Sequence, residues 1–100
     1  MSVQELNEKD FHNKIETGPA LIYFYADRCP SCRAIAPIID QISDECPDIT
    51  VGKINVDVEE DLTSRFAIKS IPTVIIFKDG KEASRIIGAK PKAEILDKLV

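Results

Sequence analysis

The sequence predicts an α/β fold, with a central mixed sheet, mainly parallel with an antiparallel C-terminal hairpin, and helices on both faces. Three observations carry that expectation. Strand-like apolar runs alternate with amphipathic helical stretches in the order β-α-β-α-β-α-β-β-α, which builds a sheet covered on both sides. The run from Ala20 to Ala26 has no polar alternation, as expected of a strand buried on both faces. Asp79-Gly80, set between two strand-like runs, signals a tight hairpin turn.

Taken in order, Val3 to Leu6 reads as a short first strand. A helix begins at Asn7 or Glu8, places Phe11 and Ile15 on one face, and ends at Thr17-Gly18-Pro19. The apolar strand follows, and then a helix whose Ile35, Ile38, Ile39 and Ile42 form one stripe. That helix ends near Cys46-Pro47, because proline disfavours a helical conformation in the residue before it. Ile49 to Val56 is the third strand, and Asp57 is a candidate cap for a helix through Leu62 and Phe66. Ser70-Ile71-Pro72 breaks the chain before the β-branched strand Thr73 to Lys78. Glu82 to Gly88 completes the hairpin, and Pro91 opens a last helix with Ile95, Leu96 and Leu99 facing inward. Tyr25 and Phe66 read as core or near-core aromatics, and His12 as an exposed surface residue.

One hundred residues bound the chain to a single domain spanning 1–100. A net charge of -4 argues against nucleic acid as a partner, because no excess of Lys and Arg is available to neutralise phosphates. No apolar run approaches the roughly 18 to 20 residues of a membrane span. The acidic start Met1 to Lys9 lacks the basic and apolar regions of a signal peptide, so a cytoplasmic location is expected. Stable structural disulfides are rare there, and three cysteines, an odd number, fit a disulfide-stapled domain poorly.

Cys29-Pro30-Ser31-Cys32 sits where the apolar strand passes into the second helix. Two thiols three apart at such a junction can form and break a disulfide with little movement of the chain, which points to redox chemistry. A metal knuckle is the competing reading. A closed tetrahedral site wants four ligands, and only Cys46 and His12 could complete it, at unhelpful spacings. No metal is expected. A structural disulfide is disfavoured too, because the loop it closes is too short to stabilise much.

Over essentially its whole length the chain resembles the thioredoxin family. The matching pieces are the apolar strand, the CxxC, Pro37 within the following helix, Lys53 in the third strand, Ile71-Pro72-Thr73, Phe77-Lys78-Asp79-Gly80 and Ile87-Gly88-Ala89. The dipeptide Pro30-Ser31 is instead similar to the glutaredoxin pattern, but the strand and helix ahead of the CxxC look like thioredoxin. The resemblance implies a cis bond between Ile71 and Pro72, facing the cysteines. It implies a thiol-disulfide oxidoreductase that reduces protein disulfides, with Cys29 as the exposed nucleophile and Cys32 as the resolving thiol. Ile71, Pro72, Ile87, Gly88 and Ala89 would contact the substrate. A flavin- and NADPH-dependent thioredoxin reductase would recycle a monomer that needs no cofactor of its own.

Pro30 at the first helical position would leave Cys29 facing free N–H groups and the positive end of the helix dipole, both of which favour a thiolate. A thiol of ordinary pKa is about 3% ionised at pH 7, and a pKa near 7 makes that about half. Three departures from the family pattern bear on this chemistry. Arg28 replaces the usual tryptophan, either setting a positive charge beside Cys29, which would favour acidic substrates, or pointing into water. Tyr23 stands where the family often buries an aspartate beneath the second cysteine, and a phenol of pKa near 10 is a poor base. Lys53, which matches that aspartate's usual partner, either reaches solvent or lends positive potential to the thiols. Pro30-Ser31 replaces Gly-Pro, and about 30 mV of potential corresponds to about 1.4 kcal/mol for a two-electron couple. Two further readings are a glutathione-coupled, glutaredoxin-like oxidoreductase and a redox-sensing or adaptor module without turnover. Cys46 is read as a helix-end residue without catalytic duty.

Overall fold

A computed structural model describes residues 3–99. The elements are β1 (Gln4–Glu5), α1 (Glu8–Ile15), β2 (Pro19–Tyr25), α2 (Pro30–Glu45), β3 (Thr50–Asn55), α3 (Glu60–Arg65), β4 (Thr73–Lys78), β5 (Lys81–Ile87) and α4 (Lys92–Leu99). Their order is the expected one. The five strands form one sheet in the order β1-β3-β2-β4-β5.

Parallel pairing joins β1, β3 and β2, whereas β2–β4 and β4–β5 are antiparallel, so the antiparallel part extends beyond the closing hairpin. After β3 the chain passes through α3 and the loop that follows it without returning to the far end of the sheet. Thr73 opens β4 opposite Phe24, near the C-terminal end of β2, and β4 runs back along β2.

Period-two alternation along β2 divides the core into two layers. Leu21 and Tyr23 face Ile35, Ile39 and Ile42 of α2 and Ile95 of α4. Ala20, Ile22 and Phe24 face Phe11 and Ile15 of α1 and Leu62 of α3. Asn7 starts α1 as expected, its Oδ1 accepting the Asp10 N–H at 2.8 Å. Asp57 does not cap α3. The cap position is Glu59, without a side-chain bond, and the Asp57 N–H is itself folded back onto Asn55 Oδ1 at 2.9 Å. Tyr25 and Phe66 are partly buried against the two layers, and His12 is exposed.

At the end of the sheet far from the C-terminus of β2, two turns are bonded reciprocally. The Asp79 N–H donates to the Gly18 carbonyl at 3.1 Å, and the Gly18 N–H donates to Asp79 Oδ1 at 2.7 Å. Asp79 and Gly80 have φ of 52° and 86°, the left-handed pair that a tight hairpin turn requires. The Ile71–Pro72 peptide is cis, as the resemblance implied. Among the described residues no helix is long and apolar enough to cross a membrane.

Gly52, paired with Gln4 and Ile22, has no space for a side chain, since a Cβ there would lie 2.5 Å from Leu6 Cδ1. Leu6 is 2% exposed and closes the layer under β1, so it has little room to yield. We expect Gly52→Ala to lower unfolding free energy by about 1–3 kcal/mol, read as a fall in the urea midpoint at unchanged slope.

Candidate active site

Three segments converge at the C-terminal end of β2. Register places Tyr25 beside Asn55 of β3 and Phe24 beside Thr73 of β4, so the loops after β2 and β3 and the loop before β4 meet there. Cys29 is the N-cap of α2, in extended conformation with φ -100° and ψ 109°. Its Sγ accepts the Cys32 N–H at 3.2 Å, and its carbonyl accepts the Arg33 N–H at 3.3 Å, starting the helix. Pro30 occupies the first turn, where a missing N–H costs nothing, and Ser31 beside it is exposed.

The cis-proline loop lies opposite. The Cys29 thiol points at the Ile71 carbonyl at 3.8 Å, and Pro72 is buried behind it. Thr73 Oγ1 donates to the Ser70 carbonyl at 2.7 Å, and the Gly88 N–H donates to the Pro72 carbonyl at 2.8 Å. Gly88, at φ 94°, thus turns the end of β5 against Pro72, leaving Ile87 55% exposed and Ala89 exposed next in the chain. Ile71, Pro72 and Gly88 are therefore brought to Cys29, with Ile87 and Ala89 flanking them. Cys46, at the other end of α2, and His12, on α1, are remote from this group.

The two sulfurs differ less in exposure than the sequence suggested: Cys29 is 8% exposed and Cys32 2%. They differ more in environment. Burial, reinforced by the hydrogen bond with Cys29, pushes the Cys32 thiol up to about 11. Tyr23 lies beneath it, and its hydroxyl donates to the Cys32 carbonyl at 2.8 Å. Burial, and next the neighbouring Cys32, raise the Tyr23 phenol above its ordinary range, so it stays a neutral donor.

A solvent-open cleft of about 190 Å³ flanks Cys32, lined by Tyr23, Tyr25, Ala26, Asp27, Arg33, Ala36 and Lys53. Tyr23 and Tyr25 stack with centroids 5.4 Å apart, and Lys53 Nζ lies 5.4 Å from the Tyr25 ring centre. Lys53 thus rests its charge on an aromatic face at the wall of the cleft that Cys32 also lines. Tyr25 donates its hydroxyl to Glu5 at 2.5 Å.

Arg28 is exposed, as one of its two readings held, but its charge is paired and not free beside Cys29. Its Nε and Nη2 bond Asp57 at 3.2 and 3.1 Å, and this pairing raises the guanidinium pKa further. Both partners are more than half exposed, so the pair contributes little to stability. Its effect is on charge, because Asp57 largely neutralises the positive lip expected beside the nucleophile. Asp57 and Asp27 were missed as site residues. The signal was available, since both follow the C-terminal ends of adjacent parallel strands, where sites on open α/β sheets gather. Among the described residues, no three His, Cys, Asp or Glu side chains gather into a group that could hold a metal.

This arrangement matches known proteins along nearly its whole length. A family model described as Thioredoxin matches residues 2–100. The chain belongs to the thioredoxin family. It is 38% identical to a thioredoxin of Chlamydia pneumoniae, covering 98% of this chain and 95% of that one. It is 35% identical to a thioredoxin of Staphylococcus epidermidis, over 98% of each. Oxidised mitochondrial thioredoxin 3 of Saccharomyces cerevisiae superposes with a TM-score of 0.89 at 27% identity, covering 97% and 92%. This thioredoxin-family chain is a thiol-disulfide oxidoreductase acting on protein disulfides, and the glutaredoxin-like dipeptide is a local variation on that scaffold.

The raised Cys32 thiol has a consequence for stability. An unfolded cysteine ionises near pH 8.5, whereas folded Cys32 holds its proton to about pH 11. Across that window the folded state binds more protons than the unfolded one, so stability falls as pH rises. We expect the urea midpoint of the reduced protein to drop between pH 7 and 10, and to drop less in Cys32→Ala.

Proposed function

We propose that Cys29 is the nucleophile and Cys32 the resolving thiol of a single-domain, monomeric reductant of the cytoplasm, recycled by a flavin- and NADPH-dependent thioredoxin reductase. One observation supports this most: the Cys29 sulfur is the cap of α2 and faces the Ile71 carbonyl, with Cys32 one turn behind it. A negative charge on that sulfur strengthens the bond from the Cys32 N–H and meets the positive end of a 16-residue helix.

The reaction then runs in two exchanges. The Cys29 thiolate attacks one sulfur of a substrate disulfide. That S–S bond breaks, a mixed disulfide forms, and the other substrate sulfur leaves as a thiolate. Cys32, once deprotonated, attacks Cys29 Sγ. The Cys29–Cys32 disulfide forms and the second substrate thiol is released, so two electrons pass to the substrate. Ile71 offers its backbone carbonyl beside the exchange, Gly88 leaves room for a second chain, and Ile87 supplies apolar contact. Pro30-Ser31, Tyr23, Lys53 and the Arg28–Asp57 pair tune the dithiol.

Turnover of a protein disulfide with NADPH and the reductase tests the assignment. Cys29→Ser is expected to fall to background. Cys32→Ser is expected to accumulate a covalent mixed disulfide through Cys29, visible by mass under non-reducing conditions. Full activity of Cys29→Ser would sink it.

A further inference from the structure

The second exchange needs Cys32 to lose a proton, and its sulfur is almost wholly covered. The groups around that sulfur are few. Tyr23 gives its hydroxyl to the Cys32 carbonyl, and Tyr25 gives its own to Glu5. Lys53 on β3 and Arg33 on α2 are cations with no acceptor. Cys29 Sγ is occupied in the mixed disulfide. Among the described residues, Asp27 is the sole carboxylate lining the cleft that reaches Cys32. Among the described residues its side chain takes part in no hydrogen bond, the Arg33 guanidinium donating at 2.9 Å to its backbone carbonyl instead. A cleft of about 190 Å³ whose walls carry Tyr23, Asp27, Arg33 and Lys53 has room for a short chain of water.

We propose that Asp27 accepts the Cys32 proton through water in this cleft during the second exchange, a role that rests on the assignment of Cys29 and Cys32 above. The proton passes from Cys32 Sγ to water while water passes one to the Asp27 carboxylate. The electron pair left on Cys32 Sγ forms the bond to Cys29 Sγ, and the bond from Cys29 to the substrate sulfur breaks. The departing substrate thiolate then takes a proton from solvent, and Asp27 returns its own to solvent. Lys53 and Arg33, on the same walls, favour the anion as it forms.

The test uses the full chain carrying Cys46→Ser, mixed with excess dithiobis(nitrobenzoate). The first coloured thiolate reports attack by Cys29, and the second, independent of reagent concentration, reports resolution by Cys32. With Asp27 present, the second rate should level off below pH 7. In Asp27→Asn it should be about tenfold slower at pH 6, rise in proportion to hydroxide and converge with the parent near pH 9. The first phase should stay within about twofold, and Asp27→Glu should restore the plateau. Ala36→Leu, which fills the cleft without touching charge, should also slow the second phase alone. An unchanged second phase in Asp27→Asn at pH 6, or a lost plateau that Asp27→Glu fails to restore, overturns the proton route. A first phase that survives Cys29→Ser overturns the assignment beneath it, and the proton route with it.

Discussion

The first turn of α2 must find partners for its free N–H groups, and the atom that serves Cys32 N–H is the Cys29 sulfur. Structure and chemistry meet in that one contact. A sulfur is a weak acceptor when protonated and a strong one when charged, so the helix is better capped by the reactive form than by the resting thiol. Everything else at the site serves this arrangement. β2 carries the loop to the mouth of the sheet, Pro30 starts the helix immediately after the cap, and β4 brings the Ile71 carbonyl to the other side of the sulfur.

Cys32 has the opposite environment on the same helix turn. Burial against α2's own stripe and Tyr23 favours its neutral form. The pair therefore divides its labour by local environment, not by distance from the surface, since both residues are buried. Tyr23 is integral to this. Where an acid would hold a second titrating group under Cys32, the phenol keeps the site uncharged, and its hydroxyl fixes the Cys32 carbonyl.

Much of this was legible in the sequence, because local signals and global fold agree. The unbroken apolar run of β2, the isoleucine stripe of α2 and the Asp79-Gly80 turn each specify their element without help from elsewhere. The placement of Tyr23 beneath Cys32 was legible as well, from matching one strand residue to a family position. What was hidden depends on where separate loops meet. The partner of Arg28 lies 29 residues on, and Asp57 looked like a helix cap because caps and ion pairs use the same side chain. The direction of β4 was hidden too, since the segment between β3 and β4 is long enough for either direction. Lys53 resting on Tyr25 is a contact between neighbouring strands that no linear pattern encodes.

The reciprocal bonds between Gly18 and Asp79 acquire a different meaning in this light. Gly18 leads into β2 and Asp79 leaves β4, the two strands whose opposite ends deliver the nucleophile and the proline loop. Strands pinned together at one end cannot slide past each other without breaking that clasp. The spacing between the sulfur and the carbonyl it faces is thus held like the tips of tweezers, by a hinge about one strand length away. Changes at that distant turn act on the redox centre through alignment alone, without altering a single charge near it.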